Sequence, residues 1–251
     1  MKLLSSIYAA KEAHKKQFAV LVDPDKTSPG SLETISQKAR DAGVDYFFVG
    51  GSLLTSDHIS GCIKTLKRNS SIPVILFPGN PLQICADADA ILFLSLISGR
   101  NPEMLIGNHV IAAPLLRSLP IEVLPTGYML IDSGRQTTVS YMSNTTPIPH
   151  DKNDVAACTA MAGEMLGLKL IFMDGGSGAQ NPISASMIKS VSSTTNVPLI
   201  TGGGIKTPEK AIENCLSGAD IIVVGNSIEK EAGLIQEISQ GIHSLNTEKI
   251  A

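Results

Sequence analysis

Three glycine-rich segments, each directly after an apolar run, are the part of this sequence with the clearest chemical potential. They are DGGSGA (174–179), TGGGIKTPE (201–209) and VGNSI (224–228). Each precedes a stretch of helical period, so backbone N–H groups and the positive end of a helix can converge on one anion. A single segment of this kind is equally consistent with a tight turn. Three of them together predict a phosphate site, to which the Ser177 hydroxyl would add a donor.

A second candidate site lies in LVDPDK (21–26), where Asp23 and Asp25 flank a proline. Carboxylate oxygens are hard ligands of the kind that Mg²⁺ prefers. Asp and Pro are also favoured in N-capped turns, and the spacing alone decides between neither interpretation. The next strand candidate ends in VGGS (49–52), which brings the hydroxyl of Ser52 near Asp23 if the two strands are neighbours. Together these residues suggest a second anion site that holds a metal.

The elements that must position these groups alternate along the whole chain, in the pattern of a parallel sheet with crossover helices. The strand candidates are 18–23, 45–50, 73–77, 90–94, 122–131, 168–174, 197–203 and 220–225. The helix candidates lie near 31–42, 57–69, 102–117, 152–166, 184–193, 207–217 and 227–245. Eight strands in regular alternation favour an α/β fold closed as a (β/α)8 TIM barrel over a doubly wound open sheet.

Two connections depart from this regular pattern. Residues 78–89, between the third and fourth strands, are too few for a full helix, so the third helix of the barrel is expected to be reduced to a turn or an extended segment. Residues 133–154 form a long connection rich in Ser, Thr, Asn and Pro, which is typical of a functional loop or an interface element. No linker divides the chain, and we interpret residues 1–251 as a single barrel domain.

Composition excludes several classes of function. The net charge is −3 and no cluster of Lys and Arg is present, which argues against binding of nucleic acid. The cysteines form no CxxC pair and the histidines have no metal-ligand spacing, so no zinc or redox motif is indicated. We expect the histidines at the surface or in loops: His14, His58, His109, His150 and His243. Charges interrupt the N-terminal segment and no run of about 18 apolar residues follows, which predicts a cytoplasmic protein.

The motifs, taken in order, resemble the geranylgeranylglyceryl phosphate synthase family. They are LVDPDK, DYFFVGGS, PVILFPGN, TGYMLID, YMSNTTPIPHDKND, FMDGGSGA, GGGI and VGN. The SNTTPIP segment is similar to the longer group found in archaea and Bacteroidetes-like bacteria. The resemblance implies a modified TIM barrel without a proper third helix. It also implies a prenyltransferase that joins the C3 hydroxyl of sn-glycerol 1-phosphate to geranylgeranyl diphosphate, forms an ether and releases diphosphate.

The resemblance also implies roles for particular residues. Asp23 and Ser52 would bind the Mg²⁺ that carries the prenyl diphosphate. The glycerol phosphate would lie against Phe172, Met173, Asp174, Gly175, Gly176, Ser177, Gly178, Gly203, Gly204, Gly225 and Asn226. Asp174 is the candidate catalytic base, one methylene shorter than the glutamate common in the family, and Phe172 replaces a tyrosine. Tyr128 is suited to face a developing cation, although a half-buried core tyrosine is the alternative.

The family forms dimers or hexamers, so the resemblance implies a homo-oligomer with at most transient membrane contact. Two other functions remain open on the residues alone. One is a phosphosugar isomerase-type barrel, which would bind phosphate on the same loops and work without Mg²⁺. The other is a non-catalytic barrel that binds a phosphometabolite, in which Asp174 is only a turn residue. The depth of a prenyl groove, and hence the length of the donor, cannot be read from the sequence.

Overall fold

A computed structural model, which describes residues 2–247, shows eight parallel strands closed into one barrel. The strands are β1 (Gln17–Val22), β2 (Tyr46–Val49), β3 (Val74–Leu76), β4 (Ala90–Leu96), β5 (Glu122–Leu130), β6 (Leu170–Asp174), β7 (Leu199–Gly202) and β8 (Ile221–Val224). Each strand pairs with the next, and β8 closes the barrel on β1 with Gln17 opposite Ile221. The predicted TIM barrel and its eight strands are therefore confirmed.

Ten α-helices surround the barrel within the described residues. They are α1 (Leu3–Glu12), α2 (Pro29–Asp41), α3 (Ile59–Asn69), α4 (Asn108–Ser118), α5 (Thr138–Ser143), α6 (Asn153–Met165), α7 (Ala185–Ser192), α8 (Pro208–Leu216), α9 (Asn226–Lys230) and α10 (Leu234–Thr247). The predicted helix at 227–245 is wrong in one respect, because the chain breaks it into α9 and α10. The predicted helix at 102–117 begins with a π-helical turn, Glu103–Gly107, before α4.

The connection between β3 and β4 contains only a short 3-10 helix, Pro81–Gln83. The side chain of Asn80 caps its start by accepting the N–H of Leu82 at 2.9 Å. Gln83 is buried and fastens the segment to the end of β2, donating to the carbonyl of Gly51 at 3.0 Å and accepting from the N–H of Gly79 at 2.9 Å. The predicted loss of the barrel's third helix is confirmed, and it leaves this flank of the barrel open toward α4.

The barrel interior is filled by large apolar side chains that alternate along the strands with side chains facing the helices. Four aromatic rings form the upper part of this filling, directly beneath the carboxyl ends of the strands. Phe172 lies at its centre, with ring centroids 5.1 Å from Phe77, 5.6 Å from Tyr128 and 6.3 Å from Phe48. No helix in the described part of the chain is long and apolar enough to cross a membrane.

Candidate active site

The carboxyl ends of the strands surround a cavity of about 1040 Å³. Most of the residues that the sequence suggested for the site line it: Asp23, Ser52, Tyr128, Phe172, Asp174, Gly176, Ser177, Gly178, Gly203, Gly204, Gly225 and Asn226. Met173 and Gly175 are not part of this lining. Met173 is fully buried on the helix-facing side of β6, as alternation along a strand requires, and the N–H of Gly175 donates to Gly202 O of β7 at 3.1 Å.

A buried acid and a phenol lie together at the floor of the cavity. Tyr128 on β5 donates its hydroxyl to Asp174 Oδ2 of β6 at 2.6 Å, and the N–H of Gly176 donates to Asp174 Oδ1 at 2.7 Å. The exposed fractions are 5% for Tyr128 and 7% for Asp174, so both groups are almost completely removed from bulk water. Each carboxylate oxygen keeps one lone pair, which can accept a proton from a bound hydroxyl.

Burial sets the protonation behaviour of this pair. It raises the pKa of Asp174 from its ordinary value, while the hydrogen bonds from Tyr128 and Gly176 act in the opposite direction. Burial also raises the pKa of the Tyr128 phenol well above its usual value, and the neighbouring Asp174 carboxylate adds to that shift. Tyr128 is therefore a neutral donor, and Asp174 is a stronger base than an exposed aspartate.

The three glycine-rich loops are joined to one another above this pair. Gly203 has a φ of +84°, and a Cβ there would lie 2.8 Å from Gly175 N and 2.9 Å from Asp174 Oδ1. The β6 and β8 loops meet where the hydroxyl of Ser177 and the amide of Asn226 exchange hydrogen bonds at 3.2 and 3.3 Å. The loops thus form one cup, lined by backbone, whose close contacts only glycine permits.

Asp23 lines the cavity at the end of β1, the strand next to β8 in the barrel. Its Oδ1 accepts the N–H of Asp25 at 3.1 Å, and its Oδ2 forms an ion pair with Lys26 Nζ at 2.5 Å. Ser52 lines the same cavity at the end of β2, next to Gly51, whose Cβ position would be 3.4 Å from Asp23 Oδ2. Within residues 2–247 no group of three acidic, histidine or cysteine side chains is arranged to hold a metal.

Asp25, the second carboxylate of the motif, has a structural role. It accepts the N–H of Thr55 at 2.5 Å and the hydroxyls of Thr55 and Ser56, and these bonds lower its pKa. Thr55 and Ser56 lie in the connection between β2 and α3. Of the two interpretations open for Asp25, the turn residue is therefore the one that its contacts favour.

An apolar arm extends the cavity between β3 and β4, where a regular barrel would have a helix and this chain has only the short 3-10 helix. Its walls come from the 3-10 segment, from β4, and from the π-helical turn and α4: Pro81, Ile84, Leu92, Phe93, Leu94, Met104, Ala112 and Leu116. The hydrophobic pattern of the sequence could not predict this arm, because the arm forms where the helix between β3 and β4 is absent.

His109 also lines the apolar arm, and the expectation that it lies at the surface or in a loop is wrong. It is buried in α4, where its Nε2 lies 3.1 Å from the hydroxyl of Ser95 and its ring stacks edge-on to Phe93 with centroids 4.4 Å apart. Burial lowers its pKa, which favours the neutral imidazole. The packing of α4 against β4 explains its position, which a lone histidine in a sequence does not reveal.

Comparison with known proteins agrees with this geometry. A sequence model of the PcrB family matches residues 11–242. The chain belongs to the PcrB family. It is 55% identical over 243 residues to a geranylgeranylglyceryl phosphate synthase of Chitinophaga pinensis, covering 97% of this chain and 96% of that protein. A protein of the same name from Spirosoma linguale is 57% identical over 232 residues, with coverage of 92% and 93%.

A solved structure of a PcrB-family relative extends the agreement to three dimensions. The (S)-3-O-geranylgeranylglyceryl phosphate synthase of Thermoplasma acidophilum, in complex with the substrate sn-glycerol-1-phosphate, superposes on this chain with a TM-score of 0.92. The two share 31% sequence identity, and the match covers 97% of this chain and 99% of that one. The resemblance inferred from the motifs is therefore confirmed.

Proposed function

We propose that this PcrB-family protein transfers a geranylgeranyl group from its diphosphate to the C3 hydroxyl of sn-glycerol 1-phosphate, as the names of its relatives suggest. One observation carries the proposal: a single cavity combines a glycine-lined anion cup, a buried acid–phenol pair and an apolar arm. A phosphorylated alcohol and a lipid diphosphate each find a matching environment there. The acid–phenol pair lies at the floor that the two environments share.

The chemical step assigns one role to each part of this cavity. The glycine loops of β6, β7 and β8 would bind the phosphate and so orient the glycerol C3 hydroxyl toward Asp174. The hydroxyl oxygen attacks C1 of the prenyl donor, and the C–O bond to diphosphate breaks with its electron pair leaving on diphosphate. Asp174 takes the hydroxyl proton, for which its raised pKa suits it. Tyr128 holds the carboxylate in place and presents its ring near the developing positive charge.

The residues at the end of β1 fit the Mg²⁺ that the family resemblance implies. Asp23 already balances a cation in this structure, because its Oδ2 binds the ammonium of Lys26. Asp23 and Ser52 would hold the ion with hard oxygen ligands, and the remaining positions would be filled by diphosphate and water. When bound, Mg²⁺ neutralises the charge that accumulates on the departing diphosphate. Lys26 would then be free to turn toward the diphosphate itself.

The apolar arm supports a long hydrocarbon donor. Burial of each methylene group contributes about 0.8 kcal/mol, so a prenyl chain gains binding energy along the whole arm. Apolar side chains of β4, the π-helical turn and α4 contribute the wall, and Met104 of the π-helical turn is among them. Methionine adapts its shape to irregular ligands, which suits a branched chain.

Assembly and location belong to the same proposal. Apolar side chains remain exposed on α4 (Val110, Ile111 and Leu115) and on α5 (Tyr141 and Met142), which supports a homo-oligomer, either a dimer or a hexamer. A cytoplasmic protein that meets the membrane transiently would be able to take up a lipid donor and release a lipid product.

The test is incubation of the purified protein with radiolabelled sn-glycerol 1-phosphate, geranylgeranyl diphosphate and Mg²⁺, with and without EDTA. Label should pass into the organic phase, and EDTA should prevent it. Shorter and longer prenyl diphosphates in parallel reactions measure the preferred donor length. A folded protein that binds phosphate but transfers label to no prenyl donor would contradict the proposal and favour the isomerase-type or non-catalytic barrel.

A further inference from the structure

Arg135 brings a positive charge to the glycine cup. It follows β5, its side chain is exposed, and it lines the cavity. Its Nη2 lies 3.2 Å from the point where a Cβ on Gly178 would be, and the amide nitrogen of Asn226 lies 3.9 Å from the same point. The guanidinium therefore lies next to Gly178 of the β6 loop and Asn226 of the β8 loop. Among the atoms around Gly178, those of Arg135 are the nearest.

The backbone on both sides of Arg135 is fastened to the β6 loop. Before it, the carbonyl of Ser133 accepts the N–H of Asn181 at 3.0 Å. After it, Thr137 begins α5 with a capping box and packs on Gly176, where a Cβ would lie 2.9 Å from the threonine hydroxyl. Only a few residues separate these two attachments. The backbone that carries Arg135 is therefore held in place by the fold, whereas its side chain is exposed.

No side chain of residues 2–247 neutralises Arg135. It forms no ion pair and no hydrogen bond there, while Asp132, the nearest acid along the chain, caps Gly134 N at 2.9 Å and faces His150. Guanidinium presents a planar fork of N–H donors that matches two oxygens of a phosphate. The backbone N–H groups of the cup and the side chains of Ser177 and Asn226 are neutral donors. A dianionic phosphate bound beside Gly178 would therefore meet a full positive charge at Arg135.

We propose that Arg135 is a substrate-binding residue that clamps the phosphate of the glycerol phosphate against the β6 loop. The identity of that substrate rests on the proposed function, whereas the anion clamp itself does not. Lys206, after β7, and Lys230, in α9, also line the cavity, but the atoms of Arg135 are the nearest to the Cβ position of Gly178. Phosphate selectivity would then depend on a charge carried by the 133–154 connection.

The experiment compares wild-type protein with Arg135→Gln and Arg135→Lys, and uses Arg117→Gln as the matched control. Arg117 is also exposed, lies at the end of α4, and does not line the cavity. Calorimetry measures binding of inorganic phosphate and of sn-glycerol 1-phosphate, each without donor. Kinetics then measure KM for glycerol phosphate and for geranylgeranyl diphosphate separately. Thermal melting verifies that each variant is folded.

Loss of a charge-assisted hydrogen bond is expected to weaken binding of both phosphate ligands by about tenfold in Arg135→Gln. Arg135→Lys should fall between Arg135→Gln and wild type, because lysine keeps the charge but not the fork. KM for glycerol phosphate should rise by about the same factor as the dissociation constant, while KM for the donor stays constant. Arg117→Gln should match wild type in all of these measurements.

Phosphate affinity in Arg135→Gln equal to that of wild type would overturn the proposal. An equal rise in KM for the donor would also overturn it, since it would indicate a general effect of charge on the cavity. Wild-type protein that binds phosphate through Arg135 but transfers no prenyl group would leave the clamp intact and refute the proposed function. The two proposals therefore fail separately.

Discussion

Tyr128 and Asp174 are 46 residues apart in the sequence and are joined by a hydrogen bond of 2.6 Å inside the barrel. The pairing register produces this contact, because Tyr128 lies opposite Phe172 and both side chains point into the barrel, as does Asp174 two residues later. The chain has phenylalanine at position 172 and, at position 174, aspartate, which is one methylene shorter than glutamate. Tyr128 supplies a phenol that reaches this shorter acid from the neighbouring strand.

Replacing Asp174 with Asn should remove the base and keep the fold. The amide oxygen can still accept the N–H of Gly176, and the amide nitrogen can donate to Tyr128. We expect turnover to fall by about 10²- to 10⁴-fold, the usual range for loss of a general base. Transfer assays with Asp41→Asn, an exposed acid at the end of α2, provide the control. Turnover within a few-fold of wild type would show that Asp174 is only a turn residue.

The raised pKa of Asp174 also predicts how stability changes with pH. Between the ordinary carboxyl pKa and the higher folded value, the folded state keeps a proton that the unfolded chain has released. The contribution of Asp174 to stability is therefore present below the ordinary value and is lost as pH rises through the folded pKa. Asp174→Asn should lack this loss. Urea unfolding of both proteins across the acid range measures it, and parallel pH profiles would contradict the prediction.

Tyr128→Phe should shift the pH dependence of catalysis. The Tyr128 hydrogen bond lowers the pKa of Asp174, so its removal should raise that pKa further and move the acid limb of kcat/KM to higher pH. Turnover should fall because the carboxylate loses a partner that orients it. Profiles of kcat/KM against pH, recorded for both proteins, test this directly. An unchanged acid limb would mean that another group controls it.

The strands of this barrel were predictable because parallel strands buried on both faces read as continuous apolar runs. The sequence did not predict the break between α9 and α10. Apolar residues continue at helical spacing on both sides of Glu231, so the pattern is that of one continuous helix. The burial of His109 was missed for a related reason. Its environment is created by β4, and a histidine in a helical stretch does not indicate which face will be covered.

The candidate site was predictable where it depends on strand exits and not where it depends on connections. Asp23, Ser52, Asp174 and the glycines follow strands, and a closed barrel gathers all strand exits at one end. Arg135 comes from a connection whose path is fixed by contacts with the β6 loop, and such contacts cannot be read from residue types. The length and polarity of residues 133–154 pointed to a functional loop without indicating which residue would face the cavity.

Gly203→Ala should disrupt the junction between the β6 and β7 loops. Its φ of +84° strains any other residue, and the added Cβ would press on Gly175 N and Asp174 Oδ1. We expect a loss of roughly 1–3 kcal/mol of stability together with weaker phosphate binding. Gly61→Ala is the control, since nothing lies within 4 Å of that Cβ in α3, and alanine in a helix should stabilise by up to about 1 kcal/mol. Equal melting temperatures for wild type and Gly203→Ala would refute the prediction.

Asp23→Asn and Asp25→Asn should separate the two carboxylates that the sequence presents as equivalent. Asp23 faces the cavity with Lys26 as its only cationic partner among the described residues, whereas Asp25 is occupied by Thr55 and Ser56. Loss of a metal ligand should raise the Mg²⁺ concentration for half-maximal transfer by at least about tenfold in Asp23→Asn.

In Asp25→Asn the Mg²⁺ concentration for half-maximal transfer should stay constant. The melting temperature should fall instead, because the β2–α3 connection loses its hydrogen bonds to Asp25. Titration of Mg²⁺ into EDTA-stripped protein, followed by transfer assays and melting curves, measures both effects. An increase in the Mg²⁺ requirement of Asp25→Asn that equals or exceeds that of Asp23→Asn would assign the metal to Asp25. It would also require the β2–α3 connection to rearrange when Mg²⁺ binds.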